Sequence, residues 1–144
     1  MTPLFQLDAL SLLFVALIVL GSVPNLFYTA GYLPHIQRKT HFLLHYFAFI
    51  GAMIGVVTAN TPMAFLFSWE VMSLASWQLI LTEGKSRQEG LTTRKAARFY
   101  FFMTHFGFVF LLLFFLIASQ SNLDQPFSEM ARSIQAFPYA SLLF

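Results

Sequence analysis

A single acidic residue inside an apolar run constrains this chain more than any other feature. From Thr61 to Thr82 the sequence reads TPMAFLFSWEVMSLASWQLILT, long enough to cross a membrane as a helix, and Glu70 is its one carboxylate. At about 1.5 Å of rise per residue Glu70 lies roughly 14 Å from the start of the run, close to the middle of a hydrocarbon core about 30 Å thick. Holding a charge there costs roughly 2.5–3.5 kcal/mol on insertion scales, so the side chain must face protein or a water-filled cavity. Two readings follow: a functional residue on an ion path, or a structural one, protonated and bonded to a neighbouring helix.

The rest of the chain has the same character. Hydrophobic residues make up 58% of it and charged residues only 10%, with a mean hydropathy of +0.69 and 19 phenylalanines. The charges cluster between long apolar runs instead of alternating with them, which excludes an ordinary soluble domain and predicts an all-α, polytopic membrane protein in contact with the lipid bilayer. The net charge of +2 comes from loop lysines and arginines, which report topology and not nucleic-acid binding. With no cysteine, thiolate metal sites are excluded. No basic residue precedes Arg38, so the first apolar run lacks the charged leader of a secretory signal and reads as a permanent span.

Four spans are expected, at about residues 9–32, 41–59, 61–82 and 98–118, within a single membrane domain over 1–144. Asp8 is placed to cap the first span, and Gly21 and Pro24 point to a kink within it. The short loop LPHIQRKT carries His35, Arg38 and Lys39. The second span sets Ala48, Gly51, Ala52, Gly55 and Ala59 along one stripe, and the Gly51–Gly55 pair is a GxxxG spacing that serves helix packing. His41 and His45 share a face at i and i+4, either as interfacial histidines or as a metal pair or proton relay. The Asn60–Pro62 connection is short enough to make the second and third spans antiparallel neighbours, with Pro62 in the first turn of the third. On that third span the face of Glu70 also carries Met63, Leu66, Phe67, Ser73, Leu74 and Trp77, and Ser73 is its one nearby polar partner.

The stretch 83–97 reads as a polar loop rich in basic residues, and the fourth span places Arg98 and His105 on one face, seven residues apart. His105 is thus a second ionisable group within the membrane, a packing residue or part of a polar path entering from the side of Arg98. Of the eight lysines and arginines all but Arg132 fall in the first and third connections, so loops 33–40 and 83–97 are expected in the cytoplasm and the termini on the opposite side, as in a bacterial inner membrane. Residues 119–136 form a polar tail, and 137–144 begin a further apolar run.

These residues carry a resemblance to a known family. LDALSLLF at Leu7–Phe14 and FYTAGYL at Phe27–Leu33 look like the start and end of the third helix of the antiporter-like proton-channel subunits found in respiratory complex I, Mrp-type antiporters and group 4 membrane hydrogenases. HYFAFIGAMIGVVTANTPMAFLFSWEVMSLASWQLI at His45–Ile80 is similar to the fourth and fifth helices of that family, with Trp69 and Glu70 at its Trp-Glu pair, and RKAARFYFFMTHFGFVFLLLFFL at Arg94–Leu116 resembles its sixth. The resemblance implies a partial half-channel in which Glu70 belongs to the ion pathway beside a lysine from a seventh helix, one step in a chain of histidines, lysines and waters. His105, His45 and Arg98 are further pathway candidates on residue grounds.

Complex I members carry Arg-x-Gly-Asp where this chain reads His105, Phe106, Gly107, Phe108, a departure that leans toward a hydrogenase-like or otherwise divergent branch. Family members have many more helices, in two inverted repeats, so the chain looks like the part covering the third to sixth. The implied function is translocation of protons or sodium ions within an NADH:quinone oxidoreductase-like or hydrogenase-like complex, with other membrane subunits as partners. No catalytic site and no cofactor are expected on this chain. The alternatives are a small four-helix proton-coupled transporter acting as a dimer, and a structural or assembly subunit.

Overall fold

The computed structural model describes residues 3–32, 39–82, 87–119 and 122–135. Among these the chain is all-α: α1 (Ala9–Tyr32), α2 (Lys39–Thr58), α3 (Pro62–Leu81), α4 (Arg87–Ala118) and a short α5 (Phe127–Gln135). The first four are long and apolar enough to cross a membrane, and the chain is an integral membrane protein. Successive helices are neighbours, α1 on α2, α2 on α3, α3 on α4, with α5 folded back on the end of α4. Residues 137–144 and most of loop 33–40, including His35 and Arg38, lie outside the described residues.

Helix boundaries follow local chemistry. The Ser11 N–H donates to Asp8 Oδ1 at 2.6 Å, capping α1, and the Ser11 hydroxyl and N–H beside the Asp8 carboxyl hold it below its ordinary value. α1 runs helical through Pro24. Thr61 caps α3, accepting from the Ala64 N–H at 3.2 Å, while Pro62 opens the first turn, where its missing N–H costs nothing. The largest difference from the sequence reading is at α4, which starts at Arg87 and not near Arg98. Its 32 residues extend about 48 Å, against a hydrocarbon core of about 30 Å, so its polar first turns stand beyond the apolar layer. Helix-favouring Arg, Gln, Glu, Lys and Ala there outweigh Gly90. Likewise α5 lies inside the stretch read as a polar tail, entered through Pro126, whose carbonyl accepts from Met130 N at 3.1 Å.

The end of the bundle opposite the basic segments is closed by main-chain bonds. Phe5 bridges Ala59 in an antiparallel pair, Gln6 N donates to the Thr58 carbonyl at 2.7 Å, and Asn60 N donates to the Leu4 carbonyl at 2.8 Å. Asn60 Nδ2 also donates to the Pro3 carbonyl at 2.9 Å, and the Asn60 carbonyl accepts from Phe127 N at 3.0 Å. The turn between α2 and α3 thereby joins the N-terminal segment to the start of α5. Beneath it Leu66, Phe115, Ala118 and Met130 form a buried apolar cluster, with Phe65, Phe108, Leu111 and Phe127 packed against it.

Of the two glycines at GxxxG spacing, Gly55 meets α3: a Cβ there would lie 2.7 Å from Ser68 Oγ. Gly51 faces open space, with nothing within 4 Å of a Cβ. Close approach of α2 and α3 therefore centres on Gly55 and the buried Ser68.

Candidate functional site

Glu70 sits at the middle of α3 and His105 at the middle of α4, and the packing of these helices brings the two together. His105 Nε2 lies 3.3 Å from Glu70 Oε1. The second carboxylate oxygen, Oε2, accepts from the Ser73 hydroxyl at 2.9 Å, and that hydroxyl also lies 3.0 Å from the Glu70 carbonyl oxygen. The other ring nitrogen of His105, Nδ1, is 2.9 Å from the Phe101 carbonyl oxygen, one turn back along α4. The imidazole is further fixed by the Phe101 ring, with centroids 4.0 Å apart, and Phe101 in turn packs on Trp77 of α3. The Glu70 and His105 side chains are 26% and 31% exposed, enough to leave an approach for water or another helix.

About two turns toward the basic end, a second polar contact joins the same helices. Ser76 Oγ donates to the Ser73 carbonyl at 2.9 Å and lies 2.6 Å from the Tyr100 hydroxyl. Either hydroxyl can be the donor of this pair. The strip from Glu70 through Ser73 and Ser76 to Tyr100 is therefore polar along the α3–α4 contact, between otherwise apolar helices. Ser76 could have been found from the sequence, since it follows Ser73 by three residues on one helical face. Tyr100 carries no such signal, because it falls between the stripes of α4.

The residues sharing the Glu70 face of α3 divide between buried and exposed positions. Leu66 and Ser73 are buried, whereas Met63, Phe67 and Leu74 are 52%, 69% and 41% exposed and form an open edge. The other sequence candidates stand apart from the pair. His45 Nδ1 lies 2.7 Å from the His41 carbonyl, with the two rings 4.2 Å apart, near the start of α2. Arg98 is exposed on α4, and among the described residues it makes no ion pair with Glu70. No group of three His, Asp or Glu side chains among the described residues is placed to hold a metal ion.

No family model matches the chain, and no solved structure matches it. Curated relatives do. Over 142 residues the chain is 28% identical to "Hydrogenase-4 component B" of Escherichia coli (strain K12), a match covering 96% of this chain and 20% of the relative. It is 32% identical over 137 residues to "Na(+)/H(+) antiporter subunit A1" of Staphylococcus aureus (strain JH9), covering 92% of this chain and 16% of that relative. The chain thus spans a fifth or less of the length of these relatives, and they represent the antiporter-like membrane subunits that its helices resemble.

Proposed function

We propose that this chain is part of an ion-translocating membrane subunit in a multi-subunit complex of hydrogenase or Na(+)/H(+) antiporter type, with Glu70 in the ion pathway. The observation that carries the reading is the Glu70–His105 contact: two ionisable groups meeting near the middle of two helices, α3 and α4, that are each long and apolar enough to cross a membrane. Intramembrane ionisable residues are costly, and they mark ion paths where they face a partner or a cavity. The relatives support the class of complex, and other membrane subunits of that complex would be its partners. In this reading the segments around 33–40 and 83–97 face the cytoplasm of a bacterial cell, and Arg98 and Tyr100 lie toward that entrance.

The test is Glu70→Gln, nearly isosteric and permanently uncharged, in the assembled complex. Assembly on native gels is expected to be unchanged, while proton or sodium flux into vesicles falls about 100-fold, the scale of losing a positioned proton carrier. Normal flux in an intact Glu70→Gln complex would overturn the pathway role. Loss of assembly, with Glu70→Asp also failing to assemble, would make Glu70 a structural residue.

A further inference from the structure

We propose that Glu70 and His105 together bind one proton, held between Oε1 and Nε2, and that His105 is a terminal store for that proton, not a through-relay. The argument begins at the far side of the ring. Nδ1 is 2.9 Å from the Phe101 carbonyl oxygen, an atom that only accepts. Its other neighbour, Thr104 Oγ1 at 3.5 Å, directs its hydrogen toward the carbonyls of Tyr100 and Phe101, each 3.0 Å away, and so also presents lone pairs to the ring. Nδ1 therefore carries a hydrogen. On a neutral imidazole that leaves Nε2 bare, an acceptor facing the carboxylate oxygen at 3.3 Å. Two acceptors at that distance repel unless a proton lies between them.

The opposite carboxylate oxygen, Oε2, already accepts from Ser73, so the acid proton belongs on Oε1. The pair then exists as carboxylic acid with neutral imidazole or as carboxylate with imidazolium. One proton passing from Oε1 to Nε2 converts the first form into the second. Both forms are net neutral, whereas a second proton or none would leave a net charge within an apolar span. Among the described residues, the groups on neighbouring elements do not alter this count. On α2, the Tyr46 hydroxyl donates to the Ser22 carbonyl and His45 bonds to the His41 carbonyl. On α4, the Tyr100 hydroxyl is committed to Ser76, and Arg98 is exposed. Because Nδ1 is tied to a carbonyl that takes up no proton, a proton reaching Nε2 returns the way it came.

This inference concerns the same site as the proposed function, but its test involves no ion movement, so the two fail separately. The full-length protein, in its assembled complex in lipid, is labelled with nitrogen-15 histidine and carbon-13 glutamate. Signals are assigned by their loss in His105→Gln and Glu70→Gln. At neutral pH, Nδ1 of His105 is expected to be protonated by solid-state NMR. In the same sample the imidazolium fraction, plus the protonated Glu70 fraction from the infrared carboxyl stretch, should sum to one. An Nε2-protonated neutral ring beside an ionised Glu70 would overturn the assignment, as would a sum near zero or near two. If either assignment variant fails to assemble, His105→Asn and Glu70→Asp identify the same signals.

Discussion

Desolvation at the centre of an apolar span disfavours the ionised form of an acid unless a cation stands beside it. The resemblance implies such a cation on a seventh helix, and within the described residues Glu70 already meets a partner, His105. Ser76 and Tyr100 matter at the same scale because they tie α3 to α4 near that pair. Interhelical hydrogen bonds in membranes average only about 0.6 kcal/mol and reach about 1.7 kcal/mol, so the tie is modest. In a double-mutant cycle of Ser76→Ala and Tyr100→Phe, unfolding in mixed micelles is expected to give a coupling energy of about 0.6–1.7 kcal/mol. A coupling near zero would mean the 2.6 Å contact contributes nothing to the pairing of these helices. The local partner of Glu70 was legible, since Ser73 is one turn away on the same helix. The Glu70–His105 contact was not: helical period says which residues share a face, but not which face of the next helix it meets.

Between elements, the decisive contact is the approach of α2 to α3 at Gly55. A methyl group there would press on the buried Ser68, at 2.7 Å from Oγ and 3.1 Å from Cβ, whereas Gly51 has room. Both Gly→Ala changes gain similar helix propensity, so comparing them isolates the packing term. Gly55→Ala is expected to be less stable than Gly51→Ala by about 1–3 kcal/mol, the usual cost of overpacking, measured by denaturant unfolding in micelles. Equal stability would show that Ser68 moves aside freely. The spacing identified both glycines but not which one carries the contact, because that depends on helix rotation. The four spans were legible because sustained hydropathy survives any packing arrangement. The early start of α4 and the existence of α5 were not. Polar sequences such as RQEGLTTRKAA suit either a loop or the exposed end of a helix, and their outcome is set by the long apolar helix they continue and the cluster around Met130.

For the whole molecule, length and closure together determine sidedness. α2 and α3 have 20 residues each, about 30 Å, so each barely crosses the hydrocarbon core and its two ends must lie on opposite faces. The start of α1, the end of α2, the start of α3 and the end of α4 gather around Asn60, and its bonds to Leu4, Pro3 and Phe127 hold them at one face. In the sequence, seven of the eight lysines and arginines lie at residues 38–39 or within 85–98, and Arg132 alone follows α4. Positive residues are retained in the cytoplasm during insertion, so the Asn60 end is expected outside. The chain has no cysteine, so single-cysteine labelling has no background from it. With an impermeant maleimide on intact cells, Asp124→Cys should label directly and Lys85→Cys only after permeabilisation. Reversed labelling would invert the orientation, and with it the side on which the proposed path past Tyr100 to Glu70 would open. Labelling of both positions from outside would contradict four spans, because Lys85 and Asp124 flank α4 and an odd number of crossings must separate them.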